Sequence, residues 1–246
     1  MAQPPVSVIL PTYNEAPNIV PLIRDIQSCL AHPVEIVVVD DDSPDGTWRL
    51  VEEVAASDPS VRCIRRIGRR GLTGAIQEGI DDSRGDPVVW MDCDFSMPPQ
   101  LVPLLVDAVL VEGHDLAVGS RFVGGGSAKK GVSGSGDSAL AVALSSVLNR
   151  ALQLWLHTSF RDYTSGFIAI RRPVLESIRL CGDYGEYFID LIYRAIRKGY
   201  TWIEIPYVCV PRRFGESKTG GTAWQVARRG IKYLWTAVRL RFSRLA

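Results

Sequence analysis

Short apolar runs alternate with helix-spaced apolar positions through the first half of the chain. Residues 6–10 form an apolar run that PTYNE breaks. Residues 18–30 then place Ile19, Val20, Leu22, Ile23, Ile26 and Leu30 at helical spacing. A second apolar run at 35–39 ends in DDDSPD, and 47–56 reads as a helix with Asp45 or Ser43 near its N-cap. Further strands are expected at 61–65, 87–91 and 116–118, with helices at 73–80 and 100–111. Uninterrupted apolar strands separated by helices indicate a mostly parallel sheet covered on both faces. That is a doubly wound α/β architecture. Ligands of such sheets bind at the carboxyl ends of the strands. The polar segments fall at those ends: PTYNE after the first strand, DDDSPDG after the second and DCD after the fourth.

The second half is less regular. Residues 122–138 contain six glycines together with serine and lysine, and read as a mobile loop over the site. A long apolar helix is expected at 139–157, a loop at 161–166, a strand at 167–170 and a helix at 187–197. Residues 202–210 read as one strand, or two broken at Pro206, and 224–245 as a basic amphipathic helix. The pattern divides the chain into a main domain, 1–221, and a C-terminal helix, 222–246.

Composition narrows the class. The chain has 246 residues, 46% hydrophobic and 22% charged, enough to bury a core without staples. Five scattered cysteines without a CxxC pair read as reduced thiols of a cytosolic protein. The N-terminus lacks the basic and apolar regions of a signal peptide, and no apolar run reaches the roughly 18 residues that span a bilayer. The net charge of +1 is uninformative, but seven basic and no acidic residues follow Ser217. No nucleic-acid partner is expected. Neither GxxxxGK[ST] nor a GxGxxG after a strand occurs, and the three histidines sit in no motif. A P-loop protein, a dinucleotide fold and a Ser-His-Asp hydrolase are therefore not expected. Trp48, Trp90 and Trp155 read as core residues.

Four clusters carry candidate chemistry. Asp92 and Asp94 end an apolar strand two residues apart, so their side chains are expected on one side. Two adjacent carboxylates repel, and Mg2+ or Mn2+ would relieve that while also binding a diphosphate. Asp41, in the acidic turn, can accept hydrogen bonds from a ribose or a base, while Asp45–Thr47 shapes the turn into the next helix. Arg212 and Lys218 flank a glycine turn and could clamp a diphosphate; an ordinary basic surface turn is the alternative. Arg121 ends another strand beside Lys129 and Lys130, a possible anion site or a charged loop tip.

The ordered series PTYNE, DDDSPDGT, DCDFSMPP, GSRF, RDYTSGF and RRFGESK resembles glycosyltransferase family 2. Within it, the chain is similar to the dolichyl-phosphate and polyprenyl-phosphate mannosyltransferases over about residues 6–220. The resemblance implies a GT-A fold, an inverting mechanism, a nucleotide-sugar donor (GDP-mannose) and a polyprenyl or dolichyl phosphate acceptor. By motif, Pro11, Tyr13, Glu15, Val39 and Asp41 would hold the nucleoside. Asp92, Cys93 and Asp94 would contact the donor, with Asp92 and Asp94 at the metal. Arg121 would face a sugar or acceptor phosphate, Arg212 and Lys218 the donor diphosphate, and Asp162 the acceptor side. Asp94, Arg121 and Asp162 are thus the candidate catalytic residues. A phosphate acceptor needs no strong base; a hydroxyl acceptor would make Asp162 or Asp190 base candidates.

Two departures from the family pattern stand out. Ser96 and Met97 replace the usual residues after the second aspartate, and 139–144 lacks the basic residues that relatives carry there. A UDP-sugar transferase and a non-catalytic nucleotide-sugar-binding subunit remain open alternatives. The tail has the composition of a helix lying on an anionic membrane, or of one packed on the domain with a solvated basic face. The protein is expected at the cytoplasmic face of a membrane, alone or with a separate membrane subunit.

Overall fold

The computed structural model describes residues 6–127, 139–215 and 223–243, with side chains described outside 139–145 and 223–229. The segment holding Lys129 and Lys130, most of the expected loop 122–138, and Lys218 lie outside the described residues.

Seven strands form one sheet: β1 (Val6–Thr12), β2 (Val34–Asp40), β3 (Val61–Arg65), β4 (Val88–Trp90), β5 (Leu116–Ser120), β6 (Ile168–Ile170) and β7 (Trp202–Pro206). Their order is β3-β2-β1-β4-β6-β5-β7. The chain moves outward from β1 to β3, then returns to place β4 on the other side of β1. The resulting switch point lies between β1 and β4. All pairings are parallel except those of β6, which runs antiparallel to β4 and β5. The expected segment at 202–210 is one strand ending at Pro206, followed by an isolated bridge between Ser127 and Val208.

Alternation along the strands supplies two apolar faces. Val8, Leu10, Ile36 and Val38 meet α1 (Ala16–Cys29), α2 (Thr47–Ser57) and α4 (Val102–Leu110) through Ile19, Leu22, Ile23, Val51 and Leu105. Ile9, Val37, Val39 and Trp90 belong to the opposite layer, with α3 (Leu72–Asp82), α5 (Ala139–Trp155), α6 (Arg172–Ser177), α7 (Glu186–Arg197) and α8 (Ala223–Phe242). Each fully buried aliphatic side chain contributes roughly 1.5–3 kcal/mol. On α3, Gly79 faces the sheet: a Cβ there would lie 2.5 Å from Ile9 Cγ2. Its missing side chain lets α3 pack close behind the tips of β1 and β2.

The C-terminal helix is packed on the domain. Thr236, Ala237 and Leu240 are buried, and Arg239 Nη2 lies 2.9 Å from Asp190 Oδ1 on α7. Asp190 also pairs with Arg194 at 3.0 Å. Among its described side chains, Ile231, Leu234, Trp235, Val238 and Phe242 turn outward. Among the described residues, no helix is long and apolar enough to cross a membrane.

Candidate active site

The three consecutive aspartates at the end of β2 have three different sets of partners. Asp40 is buried and accepts from Thr12 Oγ1 at 2.8 Å, Ser43 N at 2.8 Å and Ser43 Oγ at 2.6 Å, which ties the β1 and β2 tips together. Asp42 lies outward and pairs with Arg65 at 2.6 Å. Asp41 reaches the cleft between them. Its two oxygens accept from Arg66 Nη1 at 2.6 Å and from Gly71 N at 2.7 Å. Burial raises its carboxyl above the ordinary carboxylate range, which the Gly71 N–H and the Arg66 charge only partly offset. Asp45 accepts from Thr47 N and Ala16 N, both at 3.0 Å, so it joins the start of α2 to the start of α1. Gly46, with φ of +81°, takes the N-cap position itself.

The second tip follows β4. The strand ends at Trp90, so Asp92-Cys93-Asp94 forms a turn and the two carboxylates find different surroundings. Asp94 is buried; its Oδ1 accepts from Ser96 N at 2.9 Å and its Oδ2 meets Arg212 Nη2 at 2.7 Å. The Cys93 thiol donates to the Pro11 carbonyl at 3.4 Å. Asp92 opens into the cleft. Loss of hydration beside the turn, followed by the charge of Asp94, raises its carboxyl above the ordinary carboxylate range. Arg212 and Arg121 oppose the rise.

Arg212 binds the site together. Besides Asp94, its Nη1 lies 3.7 Å from Glu15 Oε1. The other Glu15 oxygen accepts from Asn18 Nδ2 at 2.8 Å, and the same amide donates to the Phe214 carbonyl at 3.3 Å. Main-chain bonds from Val210 N to Ser96 O and from Arg213 N to Asp94 O strap the 210–213 segment onto the β4 turn. Three segments far apart in sequence thus share one buried charge network. They wall a cavity of about 310 Å3 that also receives Pro11, Tyr13, Asp41, Asp92 and Cys93.

Other expected site residues lie elsewhere. The Val39 side chain is fully buried in the core beside Gly79 and does not reach the cavity, because α3 packs over it. Arg121 and Asp162 form an adjacent pair. Arg121 Nε and Nη2 meet the two Asp162 oxygens at 2.9 and 2.8 Å, and Arg121 N also donates to Asp162 at 2.9 Å. Glu204 on β7 accepts from the main chain of Arg161 and Asp162, fixing that loop. Burial alone would lower the Arg121 pKa; the Asp162 charge and hydrogen bonds more than offset it, holding the guanidinium firmly protonated. Asp162 has no exposed surface, so its geometry is that of a fastener for Arg121 and not of a base open to substrate. Asp190 faces the arginines of α7 and α8.

Two parts of the cavity escaped the sequence reading. Arg70 lies with its guanidinium 4.5 Å from the Tyr13 ring centroid, and Gly71, Leu72 and Ala75 continue that wall. The run RRIGRRG after β3 was a usable signal: basic residues and glycines at a strand's carboxyl end. Asp183 and Tyr184 form the other wall. Tyr184 arrives by tertiary contact, its carbonyl accepting from Thr73 Oγ1 at 3.3 Å, and no local pattern announces it. The tryptophan expectation holds for Trp90 alone among the three. Trp155 is 47% exposed, and Trp48 is half-buried, with Arg65 3.7 Å from its ring centroid. Guanidinium stacking and neighbouring aromatic contacts satisfy these rings at the surface.

Comparison with known proteins agrees with this architecture. The model of glycosyl transferase family 2 matches residues 7–179. A dolichol-phosphate mannosyltransferase of Pyrococcus furiosus is 35% identical over 88% of the chain, which spans 59% of that relative's length. A polyprenol monophosphomannose synthase of Mycolicibacterium smegmatis is 39% identical over 92% of the chain and 86% of its own length. Among solved structures, glucosyl-3-phosphoglycerate synthase from Mycobacterium tuberculosis, in complex with Mn2+, UDP and phosphoglyceric acid, superposes with a TM-score of 0.71 at 20% identity. The match covers 99% of this chain and 80% of that one. A mannosyltransferase from Pyrobaculum calidifontis in complex with GDP-Man and Mn2+ gives a TM-score of 0.64 at 23% identity, covering 97% and 65%. The fold is a GT-A architecture, and the family match and relatives make the chain a glycosyltransferase. The chain belongs to glycosyl transferase family 2.

Proposed function

We propose that this chain transfers mannose from GDP-mannose to a polyprenyl phosphate with inversion at the anomeric carbon. One observation carries the reading: Arg212 joins Glu15 and Asp94 on the wall of a cavity into which Asp92 opens. The named activities of the two relatives support the sugar and the acceptor class.

The acidic pair fits a divalent cation. Asp92 presents a carboxylate to the cleft beside Asp94, and among the described residues no group of three or more His, Cys, Asp or Glu side chains gathers there. Two carboxylates suit Mg2+ or Mn2+, which keep water and phosphate oxygens in the rest of their shell. When bound, such an ion would neutralise charge on the departing diphosphate. Ser96 contributes its N–H to Asp94 and thereby orients that carboxylate.

Arg212 and Arg121 would stabilise the phosphates on the two sides of the reacting sugar. An oxygen of the acceptor phosphate forms the new bond to the anomeric carbon. The old carbon–oxygen bond breaks, and its electron pair leaves with GDP. The attacking phosphate is already ionised near neutral pH, so Asp162 is free to hold Arg121. Incubation of the full chain with radiolabelled GDP-mannose, a polyprenyl phosphate and Mg2+ or Mn2+ should place label in the organic phase. EDTA should abolish that label. Transfer from UDP-glucose alone would replace the donor assignment, and no transfer from either donor would sink the reading.

The outer faces of α5 and α8 support action at a lipid surface. Trp155 and Phe242 stack edge-on at 6.4 Å, with Trp235 and Phe242 64% and 76% exposed. Ile231, Leu234 and Val238 extend this patch, and exposed Arg241 on α8 supplies charge complementary to anionic headgroups. Changing Trp235 and Phe242 together to Asp should lower co-sedimentation with anionic vesicles at least about tenfold, since each aromatic contributes apolar burial and each new charge repels the surface. Undiminished co-sedimentation would remove this face from membrane binding.

A further inference from the structure

The wall formed by Asp183 and Tyr184 is short and glycine-rich, and it is held from both sides. Towards the sheet, Thr73 of α3 donates to the Tyr184 carbonyl. Within the loop, Asp183 N donates to Glu186 Oε1 at 3.0 Å, and Gly182 has φ of +126°, a backbone conformation that side chains rarely adopt. On the outer side the support is α8. A Cβ on Gly185 would lie 2.2 Å from Tyr233 Oη and 3.1 Å from its Cζ, so the phenol occupies the space beside that glycine. One residue earlier on the helix, Lys232 pairs with Asp183, and its Nζ stands 4.0 Å from Glu186 Oε1. The helix is anchored behind these contacts by buried Thr236, Ala237 and Leu240 and by the Arg239–Asp190 pair.

We propose that Tyr233, assisted by Lys232, is a positioning residue of the donor site: it props the 182–185 loop so that Asp183 and Tyr184 stand at the cavity. The inference rests on the cavity being the donor site, as argued above. The two contacts differ in weight. Asp183 is largely exposed, and exposed ion pairs contribute little to stability. The Tyr233 ring is half-buried and packs against the core around α7, so removing it leaves a gap directly behind the loop. Neither side chain lines the cavity itself. Their loss should therefore loosen substrate binding and leave the chemical step largely intact.

Steady-state transfer from GDP-mannose by the full chain, with calorimetric binding of GDP in Mn2+, tests this. Tyr233→Ala should raise the donor KM and the GDP dissociation constant about five- to tenfold, with kcat within twofold. Tyr233→Phe keeps the ring behind the loop but removes the oxygen nearest Gly185, and should fall between wild type and Tyr233→Ala in both. Gly185→Ala pushes on the same contact from the loop side and should reproduce the KM effect. Lys232→Glu, which faces Asp183 with like charge, should raise KM about two- to threefold and serves if a larger change prevents folding. Folded variants of Tyr233 and Gly185 with unchanged KM, or with a fall in kcat alone, would overturn the proposal. A wild-type chain that neither binds GDP nor uses GDP-mannose would instead defeat the donor reading, before any variant is compared.

Discussion

Replacing Asp162 with alanine is expected to destabilise the protein by about 3 kcal/mol, because it leaves the Arg121 guanidinium enclosed without its counter-charge. Asp162 has no exposed surface and gives both oxygens to Arg121, with a further bond to the Arg121 main chain. The Arg121 side chain retains 18% exposure, which places the loss at the lower end of the range for broken buried pairs. For a chain of this length that corresponds to a fall in Tm of roughly 6–12 °C. Asp162→Asn keeps an acceptor and should lose less. Thermal unfolding of the three proteins side by side checks this, and a Tm within about 2 °C of wild type for the alanine variant would refute it. Transfer should also fall in both variants, since Arg121 loses its fixed orientation.

Asp94→Ala is expected to lower kcat/KM at least about a thousandfold, with a smaller loss of stability than Asp162→Ala because Arg212 keeps Glu15 as a second counter-charge. Removing one preorganised electrostatic group from a reacting centre commonly costs two to three orders of magnitude. Here a single carboxylate orients Arg212 and completes the acidic pair with Asp92. Asp94→Asn preserves the acceptor for Ser96 N–H but withdraws the charge facing Arg212, so it should recover only a small part of the activity. Metal-dependent GDP binding should fall in parallel. A turnover number within tenfold of wild type would take Asp94 out of the reaction.

Much of the fold was legible because its strands are buried on both faces. The run VEIVVVD can be little else than an interior strand, and β2 occupies all of it. Acidic and proline-containing breaks then marked the strand tips and pointed to Asp41, Asp92 and Asp94, while the family resemblance supplied Pro11, Tyr13, Glu15 and Cys93 and joined Arg212 to them. The orientation of β6 could not be read, since IAI is apolar in either direction and only pairing distinguishes the two. The short helix α6 begins at Arg172-Pro173, and its six residues are too few for a periodic signal. The resemblance also named Val39, whose side chain lies one step back within β2 and packs in the core against Gly79. The Asp183–Tyr184 wall depends on where α3, α7 and α8 meet, which a local pattern does not encode.

The reversed strand has a topological consequence. A segment leading into a parallel strand enters at the rim opposite the cleft, whereas the segment leading into β6 enters at the rim where β4 and β5 finish. At about 3.3 Å per residue, three residues of strand separate those rims by roughly 10 Å. Because β6 points backwards, residues 161–166 arrive on the cleft side, close enough for a carboxylate there to seize the arginine that follows β5. One inverted tripeptide thus lets an incoming connection share a rim otherwise built from outgoing ones.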